Sequence, residues 1–308
     1  MGVWPTAFVA VLVLLASSCT VVASKPQLLN SATVNDGGAG STTELQEAAC
    51  PLTGTTTVAY FAGHGATADC QNWEKHFFEW WARSEPRIVV QRMTVEATKN
   101  CELDRYPNLK LWVQPGGNAY DQQNSLGHEG RANILKYLRA GNSSHYLGTC
   151  AGWFVASTDY WWERKHYSWP NTLGIFETVE GSISTIWDDA KPPGYTLTKV
   201  HGTAAAAGAA PGGSRSLTAL YWGGPTRGWN ATPSGVTGKP LLTFSSIPGH
   251  LPASVLDGRH LFFSVHLEAY EGHPAGVQLS PLHRAQNYRF RAEQINQLTG
   301  ENWRIPAS

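Results

Sequence analysis

The 308-residue chain lacks an excess of either charge: 23 lysines and arginines balance 23 aspartates and glutamates, and no basic block stands out. Without such a footprint, neither nucleic acid nor an anionic surface is an expected partner. Metal-site spacing is missing too, since there is no HExxH and no paired-cysteine motif. A metal held by His64, His266 and Glu268 therefore has no motif behind it, and neither a metal nor another cofactor is expected. Long apolar runs are scarce. "AFVAVLVLLA" (Ala7 to Ala16) is too short to span a bilayer comfortably, and no later segment is apolar enough to do so. With Val21 and Ala23 following it, residues 1–23 read as a secretory signal peptide, after whose cleavage no membrane contact is expected. The segment has no lysine or arginine before its apolar core, which leaves an uncleaved signal anchor as the alternative.

Cysteines are few, five in all, and signal cleavage would remove Cys19. In an oxidising compartment Cys50, Cys70 and Cys101 can supply one disulfide, with Cys70–Cys101 preferred because both flank one helix and strand pair. If Cys150 were structural, all four could pair. Two sequons, at Asn142 and Asn230, lie in polar, glycine-flanked stretches suited to surface glycosylation.

Residues 24–50 are small and polar with weak periodicity and read as a flexible mature N-terminus. From residue 51 to 308 a single domain is expected. "TTTVAYFAG" (Thr55 to Gly63) reads as a strand, "CQNWEKHFFEWWARS" as a helix with Trp73, Phe77, Trp80 and Trp81 at helical spacing, and "RIVVQRMTV" as the next strand. "LKLWVQPGG" (Leu109 to Gly117), a helix carrying Ile134, Leu135 and Leu138, and "HYLGTC" continue the alternation. Strands alternating with helices imply an α/β fold with a mostly parallel sheet, whose ligand sites lie beyond the strands' carboxyl ends. The C-terminal half reads as shorter, partly antiparallel strands. It is interrupted by an aromatic stretch around Trp161 and Trp162 and by an Ala/Gly-rich insertion (Gly202 to Ser214), and "PLHRAQNYRFRAEQINQLTG" closes as a helix stopped by Gly300.

"GTCAG" (Gly148 to Gly152) puts Cys150 at a strand-to-helix junction between glycines two positions away, the cysteine version of the nucleophile elbow. A free thiol with a pKa of about 8.5 is mostly protonated at neutral pH, and a helix N-terminus or an imidazolium would favour the thiolate. In "FFSVHLEAY", His266 and Glu268 are two apart on an expected strand, so both leave one face, a base with its orienter. Pro115-Gly116-Gly117 can add backbone amides as an oxyanion hole beside the amide of Ala151. The bland reading of Cys150 is a small buried hydrophobe.

Together GTCAG, QPGG and the late HLE resemble the class I glutamine amidotransferase-like superfamily, which implies a flavodoxin-like three-layer sandwich with a Cys-His-Glu triad. The wording of "LWVQPGGNAY" and "HYLGTCAGWFVAS" is closest to the biotin-protein ligase N-terminal domain family, including its secreted stand-alone members. The likeness covers roughly Val58 to Tyr270, and Leu267 stands where that family usually has proline. By position it implies Cys150 as nucleophile, His266 as base, Glu268 as orienter, and Gly116 with Gly117 on the oxyanion side. No fused synthetase domain is expected. The function implied is a secreted cysteine amidase acting on a small amide, peptide or γ-glutamyl-type substrate. The alternative is a catalytically silent binding module that keeps the fold and pocket.

Overall fold

The computed structural model describes residues 50–162, 165–181, 195–206, 215–227, 238–247, 249, 251–270 and 278–307. The chain divides at Ser41/Thr42, and all described residues fall in the second unit. The expected signal peptide, nearly all of the expected N-terminal segment, Asn230 and residues 207–214 of the Ala/Gly-rich stretch lie outside them.

The first half builds βαβ units: β1 (Val58–Phe61), α1 (Ala68–Ala82), β2 (Val90–Met93), α2 (Val95–Asn100), β3 (Leu111–Gln114), α3 (Ala119–Arg139), β4 (His145–Thr149) and α4 (Ala151–Ala156). β1 pairs in parallel with both β2 and β3, β3 with β4, and β4 with β13 (His260–Phe263). Beyond β13 the sheet turns antiparallel through β12 (Pro252–Asp257), β11 (Lys239–Phe244), β8 (Thr196–Gly202), β9 (Ser216–Tyr221) and β14 (Val265–His266). A smaller sheet orders β10 (Thr226–Arg227), β7 (Val179–Glu180), β5 (Tyr160–Trp162) and β6 (Lys165–Tyr167). The expected α/β architecture, a parallel block extended by antiparallel strands from the C-terminal half, is what forms.

Alternation along the strands explains the layering. Val58, Tyr60, Leu111, Val113 and Leu147 face one apolar layer with Phe77, Phe78 and Trp81 of α1 and with Tyr288, Phe290 and Ile295 of α5 (Pro281–Thr299). Their neighbours Ala59, Phe61, Trp112 and Tyr146 face the other layer, packed by Ala97 of α2, Leu126, Ile134 and Leu138 of α3, and Trp153 of α4. Buried on both faces, these strands read as continuous apolar runs because a period of two serves two cores.

Caps mark the helix ends. Thr67 begins α1 by accepting from Cys70 N, Asn118 begins α3, and α5 starts with Ser280 and Pro281 and stops at Gly300 in the left-handed conformation (φ 68°). α3 begins at Ala119, well ahead of the expected stripe of Ile134, Leu135 and Leu138, and its first turns are set off from that stripe by a kink at Gly127 (φ 57°, ψ −161°), which breaks the 3.6-residue pattern.

The preferred disulfide is corrected. Cys101 bonds Cys50, while Cys70 is a free, buried thiol. The sheet explains this: Cys70 sits on α1, whose apolar residues pack on one sheet face, whereas Cys101 ends α2 on the other. Sequence proximity to a shared strand does not reveal the face. Asn142 sits in an exposed turn, as a glycosylation site requires. No helix among the described residues is long and apolar enough to cross a membrane.

Candidate active site

Parallel strands deliver β1, β3, β4 and β13 to one rim, and the chain's chemistry gathers there. Cys150 follows β4 with φ 53° and ψ −109°, and among the described residues it alone, other than glycines, has positive φ. Such a backbone costs about 1–3 kcal/mol and persists only where its surroundings hold it. Two hydrogen bonds do the holding: the Cys150 amide donates to Phe263 O at 2.8 Å, and its carbonyl accepts from Trp153 N at 3.0 Å. The flanking glycines permit the close approach. A Cβ on Gly152 would lie 2.0 Å from Gln114 O, and one on Gly148 would lie 2.8 Å from the Gly152 carbonyl.

His266 is fully buried on β14, its ring set edge-on to Trp73 at 5.3 Å. Its Nδ1 lies 2.8 Å from Glu268 Oε1. Glu268 belongs to the turn after β14 rather than to an extended strand, so the shared-face argument gives way to a tight turn that still brings the carboxylate home. With Nδ1 donating to Glu268, Nε2 is left as the nitrogen that can take a proton, and it has no aligned hydrogen-bond partner among the described residues.

Gly116 ties the cluster together. A Cβ there would meet His266 Cε1 at 2.5 Å, Cys70 Sγ at 2.8 Å and Cys150 Cβ at 3.4 Å, so only a glycine backbone fits against all three. Gln122 fixes this turn by donating to the carbonyls of Pro115 and Gly116. Gly117 and Cys150 both line the cavity at the rim, and Ala151 is the buried first residue of α4. The structure thus brings Cys150, His266, Glu268 and Gly116 together, with Gly117 and Ala151 alongside. The Cys150 thiol itself donates to Trp222 O at 3.3 Å. His64 is exposed on the loop after β1, and no group of three metal-ligating side chains is arranged for an ion among the described residues.

Three participants escape a reading of the sequence: Cys70, Glu74 and Arg291. Arg291 Nη2 of α5 donates to Glu74 Oε1 of α1 at 2.7 Å, and its Nη1 stands 3.5 Å from Glu268 Oε2, all without solvent exposure. Burial alone would raise the Glu268 pKa, but Arg291 and His266 outweigh it and hold the carboxyl below its ordinary range. His266 is held well above its usual value: burial opposes the charge, but Cys70, Glu268 and Cys150 favour it. Burial pushes the Cys70 thiol up, with His266 pulling the other way. Glu74 is raised by burial to about 7, Arg291 only partly offsetting it.

No family model matches the chain, and no curated protein matches it by sequence. Among solved structures the chain is similar to a glutamine amidotransferase at 17% identity and a TM-score of 0.52, over 80% of this chain and 100% of that one. A glutamine amidotransferase from Thermotoga maritima (13% identity, TM-score 0.39, 80% and 86% covered) and a ThuA-like protein from Bacteroides uniformis (12%, 0.48, 79% and 91%) are also similar. The first likeness shows the fold and no more: the chain has the class I glutamine amidotransferase-like fold.

Proposed function

We propose that this chain is a secreted cysteine amidase. The observation that carries the reading is the strained Cys150 elbow set in one buried cluster with His266 and its 2.8 Å partner Glu268. In this reading Cys150 loses its proton to His266 Nε2, and the sulfur attacks an amide carbonyl. The Gly117 and Ala151 amides face the oxyanion, and the imidazolium gives its proton to the departing amine. Water, with His266 as base, then releases the acid and restores the thiol. Resemblance to the biotin-protein ligase N-terminal domain family rests on the GTCAG and QPGG wording alone, and γ-glutamyl substrates follow from the wider superfamily. Secretion is supported by the Cys50–Cys101 disulfide, which belongs to an oxidising compartment.

The test is the alkylation rate of Cys150 by iodoacetamide from pH 5 to 9, followed by mass spectrometry, in wild type and His266→Ala. Fast labelling that persists below about pH 7 and is lost in the variant is expected of a His-activated thiolate. Labelling that appears only near the free-thiol pKa in both proteins sinks the reading. One observation favours the silent binding module: the thiol donates to the Trp222 carbonyl at 3.3 Å. Ligand binding with no amide turnover, indifferent to Cys150→Ala, would select that alternative.

A further inference from the structure

The cavity of about 500 Å³ that opens onto Cys150 is walled by rings from four separate segments. Tyr120 comes from the start of α3, Phe154 from α4, Tyr160, Trp162 and Tyr167 from the small sheet, and Trp222 from the end of β9. Phe154 and Tyr160 form the base, 4% and 7% exposed with ring centroids 5.0 Å apart at 64°. Trp162 meets Phe154 edge-on at 5.9 Å, and Tyr167 stacks on Tyr160 at 5.5 Å and 22°. Rings locked against each other in this way form a wall before any ligand arrives, so little ordering entropy is lost on binding.

The backbone is arranged to admit these rings. A Cβ on Gly181 would lie 2.3 Å from Phe154 Cζ and 2.7 Å from Trp162 Cε3. Two polar oxygens of the wall already cap helices: Thr67 Oγ1 accepts from Cys70 N, and Asn118 Oδ1 from Tyr120 N and Asp121 N. Recognition therefore falls to flat apolar faces next to the nucleophile.

We propose that this cavity is an acyl pocket for a planar aromatic group, and that the substrates are uncharged amides carrying such a ring. The inference rests on the amidase reading for its chemistry and on the ring wall for its selectivity. In the reaction, the Cys150 sulfur bonds to the carbonyl carbon and the C–N bond breaks. The amine departs with the thiol's proton, delivered through His266, and water cleaves the thioester to give the aromatic acid and the free thiol.

The experiment measures ammonia release from 3-phenylpropionamide, butyramide and L-glutamine by the full mature chain, together with calorimetric binding of 3-phenylpropionamide to Cys150→Ala. Expected are a kcat/KM about 10–100-fold higher for the aromatic amide than for butyramide, saturable binding to Cys150→Ala, and a raised KM with nearly unchanged kcat in Trp162→Leu. Trp162 lies at the cavity edge of a small sheet, and Trp162→Phe, expected to restore KM, shows that the Leu variant acts through the lost ring. Equal turnover of butyramide or L-glutamine overturns the pocket assignment and leaves the amidase reading standing. Binding of the aromatic amide to Cys150→Ala without turnover by wild type does the reverse. No binding to Cys150→Ala, or binding of maltotriose in its place, also overturns the assignment.

Discussion

Cys150 occupies a backbone region that a side chain rarely tolerates, and the residues around it set the terms. Gly152 is the sharper of its two constraints, because a methyl group there would strike a backbone carbonyl of β3, which cannot rotate away as a side-chain tip could. Gly152→Ala is expected to move α4 off β3, at a cost of several kcal/mol, and to abolish fast Cys150 alkylation. Gly127→Ala, at a position with nothing within 4 Å but with φ 57°, serves as the control for strain without a clash. It is expected to cost about 1 kcal/mol and to leave the alkylation profile unchanged. A Gly152→Ala protein with the wild-type melting temperature and labelling rate would show that the elbow tolerates a side chain there. Cys70 is the residue most easily misread. It stands three positions before Trp73 on the inward stripe of α1, where a cysteine reads equally well as packing, as half of a disulfide or as a second thiol against the histidine.

At the scale of elements, the two long helices that cover one sheet face, α1 and α5, are joined by Glu74 and Arg291, 217 residues apart in sequence. Removing the cation leaves two buried carboxylates facing each other, so Arg291→Met is expected to cost about 3–5 kcal/mol by denaturant titration. A loss under 1 kcal/mol would mean that solvent reaches the pair. The same link predicts a pH dependence. Glu74 rises from 4.5 to about 7 on folding, so its contribution is fully present below about pH 4.5 and is lost as pH climbs to about 7. The melting temperature of wild type relative to Glu74→Gln should therefore fall across that window, and a flat difference would show that Glu74 titrates normally. Glu268, held low, has its window below pH 4.5 and is common to both proteins. The sequence made the apolar side of this architecture readable. Apolar runs ending in QPGG and GTC predicted β3, β4 and the elbow, and the Trp73/Phe77/Trp81 stripe predicted α1. It hid the polar side, because a lone Glu or Arg within an amphipathic helix has the pattern of a solvent-facing residue until its partner is known. The six-residue α2 has no signal of its own in the sequence: the strand reading "RIVVQRMTV" runs through its first residue, Val95, which continues the β-branched pattern although Thr94 caps a helix. The extent of α3 was lost at the Gly127 kink.

For the whole molecule, the disulfide and the His266–Glu268 pair lie in different layers, Cys101 with α2 and α3 and the pair against Trp73 of α1 and Arg291 of α5, which allows stability and chemistry to be separated by experiment. Cys50 and Cys101 close a loop with a separation of 51 residues that contains β1, α1, β2 and α2, on the side of the sheet packed by α2 and α3. The cross-link acts chiefly by limiting the unfolded chain, so losing it is expected to cost about 2–4 kcal/mol. Because the unlinked denatured ensemble is more expanded, the denaturant m-value should rise as the midpoint falls. The double variant Cys50→Ser/Cys101→Ser leaves no new thiol to confuse the labelling. Under conditions where it remains folded, its Cys150 alkylation profile should match wild type, since β4, β13 and β14 hold the nucleophile and its base without help from that bridge. An unchanged m-value would assign the bridge to native-state packing instead of to the unfolded chain. A slowed alkylation in the folded variant would mean that the loop from β1, which approaches the rim through Gly65 and Ala66, depends on the bridge for its position.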